Sequence, residues 1–382
     1  MGAEPDWRQV LNPETVRGLM SNTHTEFEFN DGQWHRGFYD DSGSAELRHW
    51  GGRMERTWFV TEDAKVCYRS VTQSCFRLYV NPRFARDLLI EADDGQRSRV
   101  LFINKERSIS ARNFNRPAPG SISHPSAQEI ASELSDPATS LPHLDLLLDY
   151  RGFGGSQEGA DDARGTTLSL RPVLSYDVED HVRFALRPLL PIVLEQDIAE
   201  NGGGTRSADI DLADLSVDGL VIRRWPSGLE LGAGVAGRLP TATDNALGLD
   251  QWLLGPAVLV ALHRPWGTLG LRLSQQLDVA GDGDRDTELT LGEYFYALNL
   301  GKGWQLASEP VFSYDHRAAS GDEWSLPVGV GLWKTVEWRD RPWRMGIEYW
   351  HYVEQLDTFG PEFQIRLRLT PVLPRRIGGL PL

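Results

Sequence analysis

At 382 residues the chain is longer than one average domain, so two folding units are the natural expectation. Its formal net charge is −15, with 39 Lys and Arg against 54 Asp and Glu, and this excludes nucleic acid as the main partner, because a phosphate-binding surface needs a basic excess. Mean hydropathy is −0.37 and no run approaches the roughly 20 apolar residues of a spanning helix, which excludes helical membrane proteins. It does not exclude β-barrels, because strands that alternate apolar and polar residues average to a hydrophilic composition.

Residues 1–10 hold no basic n-region and no apolar h-region. The rest of the sequence implies export, so this start is expected to be that of a trimmed or mature form with Met1-Gly2 left over; the alternative is a cytoplasmic protein without a barrel. Asn12-Pro13-Glu14 supplies a side-chain cap, a Pro at the first helical position and an acid in the first turn, and Val16, Leu19 and Met20 follow. One short helix is predicted there.

Over 25–103 the sequence turns to short β-type runs at 26–29, 33–39, 56–60, 66–69, 75–80, 88–92 and 99–103, split by turn residues such as Asn30-Asp31-Gly32 and Asp94-Gly95. A compact antiparallel sheet or small barrel is expected, making residues 1–112 a small α+β domain. The two cysteines, Cys67 and Cys75, fall eight apart, a spacing that two hairpin strands bring face to face. A disulfide in an oxidising compartment is the expectation, against two buried thiols in a reducing one. No His or Cys pair accompanies them at ligand spacing, so no metal is expected.

Residues 113–140 read as a Pro/Ser-rich linker with Pro117, Pro119, Pro125 and Pro137, interrupted by a weak helix over 126–134. From about 144 the pattern changes to longer runs of alternating residues, near 144–154, 165–177, 181–194, 211–223, 229–239, 253–263, 268–279, 288–299, 304–314, 324–336, 343–354 and 362–373. Leu229, Leu231 and Val235 alternate with Glu230 and Arg238; Leu269, Leu271, Leu273 and Leu277 with Arg272, Ser274, Gln276 and Asp278; Phe363, Ile365, Leu367 and Leu369 with Glu362, Gln364, Arg366 and Arg368.

A soluble β-sandwich also alternates. These runs exceed the roughly 5–6 residues of a globular strand, their polar faces carry charges mid-run, and Trp252, Trp266, Trp304, Trp324 and Trp343 fall near run ends, where interfacial girdles place aromatics. The expected fold is all-β in the main: an antiparallel transmembrane barrel of about twelve strands over 141–375, followed by a tail at 376–382.

Leu239-Pro240-Thr241-Ala242-Thr243-Asp244-Asn245-Ala246-Leu247-Gly248, followed by Trp252 and Leu254-Gly255-Pro256, resembles the strand–loop–strand signature of the meta-pathway phenol-degradation transporter family of outer-membrane proteins. Arg171-Pro172-Val173-Leu174 and Arg187-Pro188-Leu189-Leu190-Pro191 are similar to that family's second and third strands, and the likeness runs over about 144–374. It implies an outer-membrane barrel in contact with lipid, and a transport role for a small hydrophobic or aromatic solute. The chain departs from the family in its extra N-terminal domain and in a non-aromatic tail beyond the last strand. The N-terminal part resembles a family of small two-cysteine bacterial periplasmic domains of unknown function, through the Pro13-Glu14 helix, Asn30-Asp31-Gly32, Thr57-Trp58-Phe59-Val60 and the cysteine hairpin.

No catalytic motif stands in the sequence: there is no Gly-x-Ser-x-Gly elbow, no His-Glu-x-x-His and no phosphate-binding Gly-Lys-Ser/Thr loop. An enzyme is therefore not expected, nor a cofactor. Gly202-Gly203-Gly204 and Asp282-Gly283-Asp284 read as exposed loops, the latter lacking the full set of alternating carboxylates and the closing Glu of a calcium loop. His351, between Trp350 and Tyr352, reads as a girdle residue rather than an interfacial base.

The alternation assigns Arg171, Arg183, Arg187, Glu230, Arg238, Arg272, Gln276, Asp278, Glu309, Glu348, Gln364, Arg366 and Arg368 to the lumen. They form either an ion-pair lattice that fills a narrow barrel or a ring that selects solutes. An even-stranded barrel puts both chain ends at the periplasm, so the N-terminal domain is expected there, as a plug, lid or docking module of a channel. The alternative is an anchor that presents the domain to a periplasmic protein partner.

Overall fold

The computed structural model describes residues 7–28, 34–49, 52–81, 84–93, 97–104, 125–179, 181–199, 204–281, 283, 286–338, 341–373, 376–377 and 380–381. The predicted turns at Asn30-Asp31-Gly32 and Asp94-Gly95, the first part of the expected linker, Gly202-Gly203, and Asp282 and Asp284 lie outside these residues. The chain divides into two compact units, Met1–Ile130 and Ala131–Leu382.

The first unit holds β1 (Arg8–Gln9), α1 (Pro13–Met20), β2 (Thr23–Glu28), β3 (Trp34–Tyr39), β4 (Ser44–His49), β5 (Gly52–Val60), β6 (Lys65–Arg69), β7 (Gln73–Asn81), β8 (Phe84–Ala92) and β9 (Arg97–Asn104). α1 starts as its sequence dictates: Asn12 Oδ1 accepts from the N–H groups of Glu14 (2.9 Å) and Thr15 (3.0 Å). Val16 and Met20, one turn apart, are both buried.

The strands pair in the order β1-β7-β6-β5-β4-β3-β2-β9-β8, and a further β7–β8 pairing curls the sheet on itself. Val16, Met20, Trp58, Val66, Phe76 and Leu78 belong to the core this encloses. With a single two-turn helix, the unit is a curved antiparallel sheet rather than the α+β domain expected. Cys67 and Cys75 are directly opposed on β6 and β7, with Cα atoms 4.1 Å apart, and are joined by a disulfide.

The boundary between the units falls within α2 (Ala127–Leu134). The second unit continues with β10 (His143–Gly154), β11 (Arg164–Glu179), β12 (Val182–Ala199), β13 (Thr205–Ala208), β14 (Asp211–Leu212), β15 (Leu215–Arg224), β16 (Leu229–Leu239), β17 (Gln251–Arg264), β18 (Gly267–Gly281), β19 (Glu288–Gly301), β20 (Trp304–Ser308), β21 (Val311–Asp315), β22 (Trp324–Trp338), β23 (Arg341–Glu354) and β24 (Gly360–Pro371). Twelve staves close antiparallel: β10 pairs with β24 and β11 with β12, and β20 and β21 together form one stave between β19 and β22. The run read as continuous over 304–314 is thus split, at Glu309-Pro310, because proline has no N–H for the ladder.

Connections alternate in length. After β11, β15, β17, β19 and β22 they are tight turns; after β10, β12, β16, β18, β21 and β23 they are longer. The barrel therefore has a short-turn end, where β10 begins and β24 finishes, and a long-loop end.

Each stave turns one set of side chains outward. Leu231, Val235, Leu254, Val258, Val260, Val328, Val330, Ile347 and Leu367 are 45–56% exposed on that outer wall. Trp266, Trp304 and Trp338 stand exposed at the short-turn end and Trp252 and Trp324 at the long-loop end. Trp343 packs against Trp338 with ring centroids 5.7 Å apart. His351 is exposed on the outer wall among Tyr349 and Val353.

Candidate channel lumen

The inner wall reverses the chemistry of the outer one. Glu293 on β19 receives a fork from Arg187 on β12 (3.1 and 3.0 Å) and a bond from Arg272 on β18 (2.9 Å), and Arg171 on β11 lies 3.5 Å away. β11 and β19 are six staves apart whichever way the ring is followed, so the Arg171–Glu293 pair spans the barrel's full width. Arg171 also bonds Asp145 (2.7 Å) and Glu309 (2.7 Å); Arg368 shares Glu309 (2.7 Å) and lies 3.4 Å from Asp145. Asp218 faces Arg272 at 3.2 Å and Arg187 at 3.5 Å. Every guanidinium in this group has at least two carboxylates, which is how buried charges offset the loss of water.

Inward ion pairs, an apolar outer wall and two tryptophan belts in a closed ring of twelve staves suit only a bilayer. The second unit is an outer-membrane β-barrel. No protein-family model and no curated protein matches the chain. Among solved structures, an outer-membrane channel of Pseudomonas putida F1 is similar at 16% identity over 61% of this chain and 96% of that one, with a TM-score of 0.47. The NanC porin is similar at 13% identity over 60% of this chain and 100% of that one, TM-score 0.37. The toluene transporter TodX of Pseudomonas putida is similar at 12% identity over 63% of this chain and 92% of that one, TM-score 0.33.

The cross-lumen pairs divide the interior. On the long-loop side lies a cavity of about 530 Å³ whose floor includes Arg171, Arg187, Arg272 and Glu293 and whose walls include Asp149, Arg366, Gln364, Gln276 and Arg238. Arg366 grips Asp149 through two bonds (2.6 and 2.8 Å) and stacks over Trp350, 4.3 Å from the ring centroid. Asp278 keeps the inward parity of β18 but lies near its long-loop end, half-buried.

Ala246 and Leu247 also line the cavity, from the loop after β16. Asp214 holds that loop by accepting the N–H groups of Thr241 (3.2 Å), Ala242 (3.1 Å) and Leu249 (2.8 Å). Thr243 Oγ1 bonds Asp211 (2.9 Å), and Asp244 caps the short helical turn at Ala246 (2.9 Å) and pairs with Arg206 (2.8 Å). The bond from Ala246 and the Arg206 guanidinium lower the Asp244 carboxyl from its ordinary pKa. The Thr241-Ala242-Thr243-Asp244 segment is therefore a folded strap on the rim of the cavity.

On the short-turn side the lumen is occupied by the chain itself. Residues 131–140, expected as the end of a linker, are packed inside the barrel unit. Arg344, 1% exposed on the inner face of β23, donates to the carbonyls of Ala131 (2.5 Å) and Leu134 (3.1 Å) and to Ser135 Oγ (2.8 Å), satisfying carbonyls that the last turn of α2 leaves without partners. Ser135 also bonds Gln305 (3.1 Å), Arg183 donates to the Ala138 carbonyl, and Arg224 rests against Asp136 while bonding Glu230 (2.6 Å). Glu133 folds the segment on itself through Ser140 N (2.9 Å). Ala138 packs among Ala185, Leu220, Ile222, Leu259 and Phe295. Arg183 and Glu230 thus serve this inserted segment rather than open water. A second cavity, of about 50 Å³, remains between the segment and the ion pairs.

Asp145, Asp149, Asp218, Glu293 and Arg344 stand on the inner wall beside the residues that the sequence assigns to the lumen. Parity already carried Arg344, since Met345, Ile347 and Tyr349 face outward. It carried Asp145 and Asp149 as well, opposite Leu146, Leu148 and Tyr150. Glu293 was hidden because its inward neighbours on β19 are Leu291 and Phe295.

Proposed function

We propose that the chain is an outer-membrane channel for a small solute, closed in this conformation by residues 131–140, with its N-terminal unit on the periplasmic side as a lid or docking module. Topology supports the periplasmic placement: β10 enters the barrel at the short-turn end, and in outer-membrane barrels the short turns are periplasmic. The observation that carries the reading is the kind of closure. Residues 131–140 contribute no strand to the wall; hydrogen bonds from Arg344 and Arg183, one from Ser135 to Gln305 Oε1, and the packing of Ala138 hold them, so the segment can leave with the staves intact. A small hydrophobic or aromatic solute agrees with the family resemblance.

A second reading, a non-conducting anchor that presents the N-terminal unit to a periplasmic protein, draws on the Arg171–Glu293 pair across the lumen. Conductance of the full-length protein in a planar bilayer separates the two. The channel predicts rare openings for the wild type and frequent ones for Arg344→Ala, whose segment has lost its main tether. A heat-modifiable, folded barrel that stays silent in both forms would leave the anchor.

A further inference from the structure

We infer that the cavity at the long-loop end is a binding site for a small amphipathic organic anion, a monocarboxylate on an apolar body, with Arg238 as the anchor of the carboxylate. The inference deepens the channel reading by naming a class of solute. At about 530 Å³ the cavity lies within the roughly 300–1,000 Å³ of small-molecule sites. Six arginines and four carboxylates line it, in a chain whose net charge is −15.

Five of those arginines are engaged. Arg366 and Arg151 face Asp149, and Arg171, Arg187 and Arg272 converge on Glu293. Arg238, half-buried, has no ion pair or hydrogen bond among the described residues. Asp214 has its oxygens committed to the N–H groups of the strap. Asp214 lines the same cavity and attracts Arg238 but makes no ion pair with it; a guanidinium in a recess without a paired carboxylate is costly unless water or a ligand anion completes it, and its planar fork matches a carboxylate.

The wall beside it supplies the other half of the ligand. A water-filled lumen is ordinarily polar on its inner face, yet Leu189, Pro191 and Val193 take successive inward positions on β12 and line this cavity. Register puts them in reach: Leu189 is opposite Ser216 and Ser216 is opposite Arg238, so the three lie on one rung. Leu247 of the strap adds an apolar surface from the loop side. An anion without an apolar body leaves that surface wet, and an apolar molecule without a charge leaves Arg238 bare.

The test is equilibrium binding of benzoate, benzamide and benzylammonium to the full-length, detergent-folded protein. Benzoate is expected to bind, with the neutral and cationic isosteres at least tenfold weaker. Arg238→Gln is expected to lose at least tenfold for benzoate, Arg238→Lys, which keeps the charge but not the planar fork, to bind more weakly than the wild type and more tightly than Arg238→Gln, and Val193→Asn to weaken benzoate through the apolar wall. Arg238→Gln breaks no ion pair, so its barrel is expected to stay heat-modifiable; if it does not fold, Arg238→Lys and Val193→Asn decide the matter. No benzoate binding to the wild type, equal binding of benzamide, or affinity unchanged in Arg238→Gln overturns the proposal. Bilayer conductance of the same preparations keeps the two ideas apart: binding without conductance removes the channel and leaves the site, and conductance without binding does the reverse.

Discussion

Arg366 and Leu367 are consecutive in the chain and face opposite media: Arg366 is 7% exposed and bound to Asp149, its cross-strand partner on β10, whereas Leu367 is 47% exposed on the outer wall. Placing arginine on the lipid side near the midplane costs about 2–4 kcal/mol, so Leu367→Arg is expected to lower the yield of folding into lipid vesicles. Removing Arg366 alone leaves a buried carboxylate with only Arg151, 3.6 Å away, and is expected to hurt as well. The paired change Arg366→Gln with Asp149→Asn keeps a hydrogen-bonding couple without charge and should fold nearly as the wild type does. If the double variant folds worse than Leu367→Arg, β24 is one residue out of register, since a slip of one exchanges the two faces.

The same alternation explains how much of the fold was legible. Twelve staves could be read because a bilayer on one side and ion pairs on the other impose a period of two that a loop does not sustain. β17 shows where the signal fades: Leu253, Ala257, Leu259 and Ala261 face inward and are as apolar as the outer residues, because part of that inner face packs against Ala138 rather than water. Residues 131–140 have the composition of a linker for the same reason. Their Pro137 and small residues look like flexible spacer, and what orders them is Arg344, two hundred residues away. Ser126 and Glu129 did carry a local signal, a reciprocal capping box, with Ser126 N bonding Glu129 Oε2 at 2.9 Å and Glu129 N bonding Ser126 Oγ at 3.2 Å.

Glu129 also makes the first unit sensitive to acid. Burial pushes its pKa up, but the Arg56 guanidinium at 2.8 Å, the Ser126 N–H and the Ser70 hydroxyl outweigh this and hold it below the ordinary glutamate value. A carboxyl with a lowered pKa in the folded state contributes stability that is present above its unfolded value of about 4.3 and is lost as pH falls through the folded one. Hydrogen exchange at residues 125–130, corrected for the intrinsic rate, is expected to quicken on going from neutral pH to below about 4. Glu129→Gln should exchange fast already at neutral pH and respond little to acid. A wild type whose protection there is the same at both pH values would contradict the assignment.

The Cys67–Cys75 bridge closes a loop of seven intervening residues between β6 and β7. Thiol titration of the denatured protein without reductant should find no free thiol, and two after reduction. By the loop-entropy relation, replacing both cysteines with serine is expected to destabilise the first unit by about 2–3 kcal/mol, seen as faster proteolysis of that unit. Cleavage at the wild-type rate would mean that hairpin pairing alone holds the two strands.

Glu293 decides the charge of the constriction. It is the carboxylate on which Arg171, Arg187 and Arg272 converge, yet each has a second acid: Asp145 and Glu309 for Arg171, Asp218 for the other two. Glu293→Gln should therefore keep the barrel folded, because no guanidinium is stranded, while the narrowest part of the lumen gains one positive charge. Arg272→Gln changes the charge at the same level by one unit the other way. In the channel reading, reversal potentials under a salt gradient should move toward anion preference in Glu293→Gln and toward cation preference in Arg272→Gln. Both are best measured on the Arg344→Ala background, where the lumen is expected to stand open, and at low ionic strength, where screening is weakest. Shifts of the same sign in both variants, or none in either, would mean that ions do not pass between these side chains, and the path would then have to be sought elsewhere in the wall.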